Sequence, residues 1–176
     1  MHDKNQPENT ITINELIKKH SFTVGAELGV RRGDFTEYLC RNNMSLNMIA
    51  VDLWDTHETI NENHEHLYNY NVCMRKFQPY LNRIQIIKKL TTEAAQDIAN
   101  NSIDFVFIDA THTEDALTQD IKAWLPKIKP NGIISGHDYH PHWDGGRLKQ
   151  CIDRIFPDRV VDNWTCWYSY IKNINI

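Results

Sequence analysis

Short apolar runs alternate along the chain with longer segments in which apolar residues recur every three or four positions. Runs rich in β-branched or aromatic residues, bounded by polar or turn-forming residues, predict buried strands, whereas a helical spacing predicts amphipathic helices. Strands are predicted at 22–28, 46–51, 83–87, 103–109, 133–135, 160–161 and 167–171. Helices are predicted at 9–19, 34–41, 92–100, 114–128 and 145–156, with a further helix that ends before Pro79.

This order of elements predicts an α/β fold with a single doubly wound sheet. Five strand-then-helix units and a final pair of strands give seven strands, mostly parallel, with an antiparallel strand at the C-terminal edge. The absence of repeats and long linkers favours one domain over 1–176. Within it we expect a helical N-terminal extension (1–20), a turn at Asn131-Gly132, a lid formed by the polar stretch 56–71 and a substrate loop at 139–146.

Composition narrows the range of functions. The 176 residues carry a formal net charge of −4, so no basic excess favours a nucleic-acid partner. No apolar segment is long enough to span a membrane, and the polar start lacks a secretory signal. The four cysteines form no CxxC pair, so we expect reduced thiols in a cytoplasmic protein. A small molecule is therefore the expected partner, and a second subunit, as in a homodimer, is expected to complete its pocket.

Polar side chains follow two of the predicted strands directly. Asp109 ends the run 105–109, and His137 and Asp138 end the run 132–138. Ligands of open parallel sheets bind beyond the carboxyl ends of the strands, so these three side chains should share one crevice. A metal ion or a reacting group would be held there.

The first strand and the turn after it indicate a second half of the site. Gly29 and Gly33 allow a tight turn, although Arg31 stands where a dinucleotide motif has its middle glycine. Asp52 ends strand two, where an acid can bind both hydroxyls of a ribose. Glu27 is buried in an apolar strand and needs a partner there, such as a ligand ammonium or a backbone amide. Together these residues predict a pocket for an adenosine-containing ligand with a cationic or zwitterionic tail.

Four motifs in this order resemble the class I S-adenosylmethionine-dependent methyltransferases, and most closely a small-domain group of that superfamily. They are Glu-Leu-Gly with Gly-Asp-Phe-Thr (27–29 and 33–36), Val-Asp-Leu-Trp (51–54), Asp-Phe-Val-Phe-Ile-Asp-Ala-Thr-His (104–112) and Pro-Lys-Ile-Lys-Pro-Asn-Gly-Ile-Ile-Ser-Gly-His-Asp-Tyr (126–139). The resemblance covers nearly the whole chain from Val24 to Ile171. It implies S-adenosylmethionine as cofactor, and O-methylation of a small acceptor such as a sugar or secondary metabolite.

The resemblance also assigns roles to individual residues. The cofactor would be bound by seven residues: Glu27, Gly29, Gly33, Asp52, Leu53, Thr91 and Asp109. By analogy with metal-dependent enzymes such as catechol O-methyltransferase, Asp109, His137 and Asp138 would hold a divalent metal, with Mn²⁺, Fe²⁺ or Zn²⁺ favoured over Mg²⁺ by the imidazole. Asp109 and His112 would be catalytic, with His112 as general base.

Two departures from the family pattern are visible. Asn131 replaces the first glycine of the usual turn, which is harmless because asparagine tolerates the left-handed conformation. Lys89-Leu90-Thr91 replaces Gly-Asp-Ser in the segment that touches adenine in the family. Leu90 cannot hydrogen-bond the adenine amino group, so adenine would be recognised there by the backbone or by apolar packing. Thr91 would supply the hydroxyl contact.

Several alternatives remain open from the sequence. Asp109 could instead cap the helix that begins near Thr113, and His112 could be an exposed loop histidine. His137 could bind the scaffold instead of a metal, and the histidine-rich loop 137–142 could be merely solvated. The whole chain could be a non-catalytic module that binds an adenosine ligand or a partner, or a metal-dependent hydrolase on a similar sheet.

Overall fold

The structure is a computed structural model that describes residues 8–54, 63–162 and 165–172. Its helices are α1 (Glu8–His20), α2 (Asp34–Asn42), α3 (Asn63–Phe77), α4 (Thr91–Ala94), α5 (Glu114–Trp124) and α6 (Arg147–Ile155). Its strands are β1 (Val24–Leu28), β2 (Asn47–Asp52), β3 (Ile84–Lys88), β4 (Ile103–Ile108), β5 (Ile128–Gly136), β6 (Val160–Val161) and β7 (Trp167–Tyr170). Among these helices, none has the length and apolar character needed to cross a membrane.

One seven-stranded sheet has the order β3-β2-β1-β4-β5-β7-β6. Strands β1 to β5 are parallel, and β7 runs antiparallel to both β5 and the two-residue β6. The predicted fold class is therefore confirmed. The chain builds outward from β1 in one direction and then from β4 in the other, so β1 and β4 flank the point where the strand order reverses.

Alternation along the strands divides the core into two layers. In β4, Phe105 and Phe107 face one layer, where they pack with residues of α1, α2 and α3. Val106 and Ile108 face the other layer, which contains residues of α4, α5 and α6. Both faces of the central strands are buried, which explains why their sequences are continuously apolar.

The predicted helix 114–128 is too long. α5 ends at Trp124, Leu125–Lys127 forms a 3-10 turn, and Ile128 already belongs to β5, where it pairs with Ile103. Pro126 explains this early end, because proline has no amide hydrogen to continue the α-helical bonding pattern.

Asn131-Gly132 was predicted as a turn, but it lies inside β5. The register between β4 and β5 shifts between Ile103 and Phe105, opposite this site. Asn131 adopts a φ of 66°, and a Cβ at Gly132 would lie 2.4 Å from the carbonyl oxygen of Asp104. The two turn-forming residues therefore make an irregularity within the strand, as in a β-bulge.

Two other helices are shorter than predicted. Instead of one helix over 92–100, α4 has four residues and is followed by a 3-10 turn at Ala95–Asp97. Instead of starting at residue 145, α6 starts at Arg147, because Gly145 and Gly146 both have positive φ. The predicted helix before Pro79 is present as α3. Of the predicted lid 56–71, residues 56–62 lie outside the described residues and 63–71 belong to α3.

Asp104 ties β1, β4 and β5 together at the amino end of the sheet. Its Oδ2 accepts hydrogen bonds from the backbone amides of Thr23 and Val24, both at 2.8 Å. Its Oδ1 accepts from Nζ of Lys129, also at 2.8 Å. Burial alone would raise the pKa of Asp104, but the hydrogen bonds from Lys129 and from the two amides outweigh it and lower the pKa.

Asp104→Asn should lower the free energy of unfolding by about 1–3 kcal/mol at pH 7, since charge-assisted bonds become neutral ones. The folded state favours ionised Asp104, so its stabilisation is complete above the unfolded pKa and is lost as pH falls through the lower folded pKa. Urea unfolding at pH 7 and pH 3 should therefore show a smaller gap between variant and wild type at pH 3.

The matched control for this prediction is Asp97→Asn, which neutralises an exposed carboxylate paired with Lys89. It should change stability by less than about 1 kcal/mol, as exposed ion pairs do. Equal losses in both variants, or a gap for Asp104→Asn that is unchanged at pH 3, would contradict the role given to Asp104.

Candidate functional site

A cavity of about 710 Å³ opens beyond the carboxyl ends of β1, β2 and β4. Six of the seven residues predicted to bind a cofactor line it: Glu27, Gly29, Asp52, Leu53, Thr91 and Asp109. His112, predicted to be catalytic, also lines it. Most of the binding residues predicted from the sequence therefore line one continuous crevice at the reversal point of the sheet.

The two predicted glycines have different roles. Gly29 has a φ of 90°, and a Cβ there would lie 2.1 Å from the carbonyl oxygen of Asp109. Residue 29 must therefore lack a side chain so that the backbone segments after β1 and β4 can contact each other. Gly33 is not among the residues lining the cavity. A Cβ at Gly33 would lie 2.7 Å from the ring of Phe77, so this glycine allows α2 to pack against α3.

Glu27 is buried at the end of β1, and its partner within the protein is Thr36. The Thr36 hydroxyl donates to Glu27 Oε2 at 2.5 Å. Burial raises the pKa of Glu27 well above its usual value, and the nearby carboxylates of Asp109 and Asp52 raise it further, against the bond from Thr36. A cationic ligand group would relieve this repulsion. Thr36 stands in the first motif, but the sequence reasoning gave it no role.

Asp52 organises the rim of the cavity. Its Oδ2 accepts from the backbone amide of Arg31 at 2.7 Å, and its Oδ1 accepts from the amide of Trp54 at 2.8 Å. The indole of Trp54 in turn donates to the carbonyl oxygen of Arg31 at 2.8 Å. Both carboxylate oxygens are thus oriented by the protein, and each retains further acceptor capacity for ligand hydroxyls.

Thr91 forms hydrogen bonds with two buried side chains of α5. Its hydroxyl donates to Asp120 Oδ1 at 2.5 Å, and its carbonyl oxygen accepts from the indole of Trp124 at 3.0 Å. With its hydrogen directed at Asp120, the Thr91 hydroxyl faces a ligand as an acceptor. Asp120 was not identified from the sequence, because a lone acid on an otherwise apolar helix stripe gives no signal of its contact.

The acids and histidines that follow β4 and β5 form one cluster. His112 Nε2 lies 2.7 Å from Asp138 Oδ2 and 3.5 Å from Asp109 Oδ1. His137 Nδ1 lies 3.1 Å from Asp138 Oδ1 and 3.9 Å from Asp109 Oδ1. One ligand atom from each of Asp109, His137 and Asp138 lies within 4.8 Å of the other two. The three predicted metal ligands are therefore brought together.

The charges in this cluster are strongly coupled. The carboxylates of Asp109 and Asp138 raise the pKa of His112 to about 10, despite partial burial. Asp138 likewise raises the pKa of His137. Burial opposes ionisation of Asp138, yet the two imidazoles lower its pKa. In the absence of another cation, His112 is therefore positively charged at neutral pH beside ionised Asp138, and the neighbouring carboxylates favour the charged form of His137.

Two of the structural alternatives for these residues can now be judged. The N-cap of α5 is Thr113, whose side chain accepts from the amide of Ala116, so Asp109 is not needed as a helix cap. His137 has both kinds of contact, because its Nε2 lies 3.3 Å from the Thr165 hydroxyl while Nδ1 faces the carboxylates. The scaffold thus orients the imidazole without occupying the nitrogen that faces the cluster.

The predicted substrate loop 139–146 packs beside the cluster and ends in a short 3-10 turn, Trp143–Gly146. Asp144 of this turn accepts from the amide of Glu114 at 3.0 Å and so attaches the loop to the start of α5. The Trp143 ring consequently lies over His112, with 4.7 Å between ring centroids. Trp143 remains exposed, which leaves an aromatic surface beside the histidine.

Comparisons with known proteins agree with this geometry. Among curated proteins, the uncharacterized protein y4gI of Sinorhizobium fredii (strain NBRC 101917 / NGR234) is 25% identical over 126 residues, which cover 72% of this chain and 14% of that protein. The chain thus matches only a small part of this relative's length.

Solved structures share the fold at low sequence identity. A Klebsiella pneumoniae protein provisionally described as an O-methyltransferase has a TM-score of 0.70 at 13% identity, covering 98% of this chain and 82% of that one. An O-methyltransferase from Bacillus cereus in complex with SAH (S-adenosylhomocysteine) has a TM-score of 0.63 at 14% identity, and the match covers 96% of this chain and 85% of that one. Spermidine synthase from Thermotoga maritima has a TM-score of 0.65 at 16% identity, and the match covers 96% of this chain and 60% of that one. These likenesses show a common fold.

The family assignment comes from the sequence match. The family model described as a methyltransferase domain matches residues 26–139, from β1 through the end of β5 to the residue after Asp138. This range contains every residue of the cavity and of the acid–histidine cluster discussed above. The chain therefore belongs to the methyltransferase-domain family.

Proposed function

We propose that this domain transfers a methyl group from S-adenosylmethionine to a hydroxyl oxygen of a small acceptor, such as a sugar or secondary metabolite, with the help of a divalent cation. The observation that carries the proposal is the continuity of the site. A cavity lined by Glu27 and Asp52 reaches Asp109 and His112, and His112 in turn contacts Asp138. The cavity that would bind the donor therefore lies next to the acid–histidine cluster that would carry out the chemistry.

The first half of the cavity suits the methyl donor. Asp52 has two oriented carboxylate oxygens that can accept from ribose hydroxyls, and Glu27 favours a nearby positive charge. S-adenosylmethionine would supply an activated methyl group on its sulfonium sulfur. The fold alone does not show that the chain transfers methyl groups, since spermidine synthase has the same fold. The family match and the Bacillus cereus O-methyltransferase in complex with SAH support it.

The acid–histidine cluster fits a divalent cation. Asp109, His137 and Asp138 offer two oxygens and one nitrogen within 4.8 Å of one another. Metal–ligand bonds of about 2.0–2.2 Å place donor atoms roughly 3–4 Å apart, so this set needs little adjustment. A bound cation would lower the pKa of an acceptor hydroxyl.

His112 is the proposed general base. At a pKa of about 10 its imidazole is protonated at neutral pH and cannot take a proton. A divalent cation at Asp109 and Asp138 would neutralise the carboxylates that raise the pKa of His112. The pKa would then fall, and the imidazole would be neutral at neutral pH. His112 then takes the proton of the acceptor hydroxyl. The acceptor oxygen bonds to the methyl carbon as the carbon–sulfur bond breaks, and the electron pair stays on sulfur.

S-adenosylhomocysteine should bind the wild-type protein in calorimetry, and Asp52→Asn should weaken this binding by about 10- to 100-fold, because charge-assisted bonds to ribose hydroxyls are lost. Asparagine is preferred to alanine here, since its carbonyl oxygen can still accept a hydrogen bond from one of the two backbone amides that orient Asp52. Glu37→Gln, which removes a carboxylate of α2 outside the cavity lining, is the control and should bind as wild type. Wild-type affinity in a folded Asp52→Asn protein would reject the ribose role.

His112→Ala should slow methyl transfer by about 10²- to 10⁴-fold while leaving the affinity for S-adenosylhomocysteine within a few-fold, as expected for loss of a general base. The rate is measured in single turnovers with an acceptor found in a panel of sugars and phenols. His20→Ala, which changes an exposed histidine at the end of α1 outside the cavity lining, should retain the wild-type rate. If the two variants behave alike, His112 is only a loop residue.

A further inference from the structure

The loop between β6 and β7 reaches back to the acid–histidine cluster through Thr165. The hydroxyl oxygen of Thr165 lies 3.3 Å from Nε2 of His137. The carbonyl oxygen of Thr165 accepts a hydrogen bond from the backbone amide of Tyr139 at 3.0 Å. Thr165 therefore contacts the residues on both sides of Asp138, although the proposed methyl transfer gives it no role.

Thr165 has a backbone conformation that threonine rarely adopts. Its φ is 67°, in the left-handed region, where a β-branched side chain is crowded by the backbone. Glycine or asparagine would adopt this conformation with less strain. The protein thus keeps a strained residue at the position from which a hydroxyl reaches His137, and strain of this kind is typical of functional sites.

Hydrogen bonds at the two ends of the loop maintain this conformation. The Asp162 carboxylate accepts from the backbone amide of Cys166 at 3.0 Å and from the hydroxyl of Thr12 in α1 at 2.7 Å. The Asp162 amide donates to the carbonyl oxygen of Cys166 at 2.9 Å. These contacts attach the loop to itself and to the N-terminal helix, so the hydroxyl of Thr165 faces His137 from a fixed position.

The two ring nitrogens of His137 have different partners. Nδ1 lies 3.1 Å from Asp138 Oδ1 and faces the cluster, whereas Nε2 faces the Thr165 hydroxyl. A neutral imidazole coordinates a cation through the nitrogen that carries no proton, and its other nitrogen is then an N–H donor. The Thr165 oxygen can accept from Nε2–H, which leaves the lone pair of Nδ1 available to a cation.

We propose that Thr165 is a positioning residue for the cation site: by accepting a hydrogen bond from Nε2–H, it selects the tautomer of His137 that presents Nδ1 to a divalent cation held with the two carboxylates of the cluster. This inference rests on the proposed function, since it concerns the same cation. Outer partners of this kind fix the orientation and the tautomer of histidine ligands. Without the hydroxyl, His137 would also populate the tautomer with a proton on Nδ1, which cannot bind the cation.

The first test is calorimetry with Mn²⁺ alone. Thr165→Val has nearly the same shape but no hydroxyl, so the Mn²⁺ affinity should fall by about 10- to 100-fold, as is typical when an outer partner of a histidine ligand is lost. Thr165→Ser keeps the hydroxyl and should stay within about 3-fold of wild type. Thr118→Val is the matched control and should bind as wild type, because the Thr118 hydroxyl contacts Glu114 and Cys151, outside the cluster.

A double-mutant cycle separates the positioning of His137 from general support of the loop. His137→Asn replaces the imidazole with an amide oxygen, which can still ligate Mn²⁺ but has no tautomers. In this background, Thr165→Val should change the Mn²⁺ affinity by less than about 2-fold. A residue that merely supports the loop would weaken Mn²⁺ binding equally in both backgrounds, and that result would overturn the inference.

NMR of the Zn²⁺-loaded wild-type protein, labelled with ¹⁵N-histidine, tests the tautomer without any variant. Nε2 of His137 should carry the proton. A proton on Nδ1, an unchanged Mn²⁺ affinity in a folded Thr165→Val protein, or an equal loss in Thr165→Ser would each overturn the inference. Failure of the wild-type protein to bind either cation would instead overturn the metal-assisted part of the proposed function, and the inference with it.

Discussion

The close approach of β1 and β4 at their carboxyl ends is the constraint on which the site depends. Gly29 has no Cβ at the point where one would lie 2.1 Å from the carbonyl oxygen of Asp109. The amide of Asp109 also donates to the carbonyl oxygen of Leu28 at 2.8 Å. This contact fixes where the chain leaves each strand. Glu27 and Asp52 therefore lie on the same cavity as Asp109, although they come from three different strands.

Electrostatics makes this arrangement costly without a ligand. Burial makes ionisation of Glu27 costly, and the nearby carboxylates of Asp109 and Asp52 add to that cost. At the other end of the site, Asp109 and Asp138 raise the pKa of His112, and Asp138 raises the pKa of His137. A cationic donor and a divalent metal would each relieve one of these strains. The two halves of the proposed function therefore have a common physical origin, which is an excess of buried acid.

The sequence predicted the parts of this structure that depend on local pattern. The central strands were found because both of their faces are buried, and the residues after them were placed correctly because parallel strands end at one edge. Helix ends were less accurate where one residue decided them, as Pro126 does for α5 and Gly146 for α6. Asn131-Gly132 carries the residues of a turn, and only the pairing of β5 with β4 shows that it is an irregularity within a strand.

Contacts between distant segments could not be predicted in the same way. The pairing of Thr91 with Asp120, and of Arg32 with Asn69, joins residues whose spacing has no characteristic pattern. Gly33 is predicted to bind the cofactor from its position in the motif, and that position does not reveal the Phe77 ring that packs against it. The role of a residue within a motif therefore depends on what packs against it.

The central claim is that the cavity and the acid–histidine cluster form one metal-assisted methyl-transfer site. The most direct test is X-ray diffraction at the manganese absorption edge from crystals grown with S-adenosylhomocysteine and Mn²⁺. The account predicts nucleoside density beside Glu27 and Asp52, and an anomalous peak bonded to Asp109, His137 and Asp138 that disappears in Asp138→Asn crystals. Bound nucleoside with no manganese at these side chains, or with manganese elsewhere only, would contradict it.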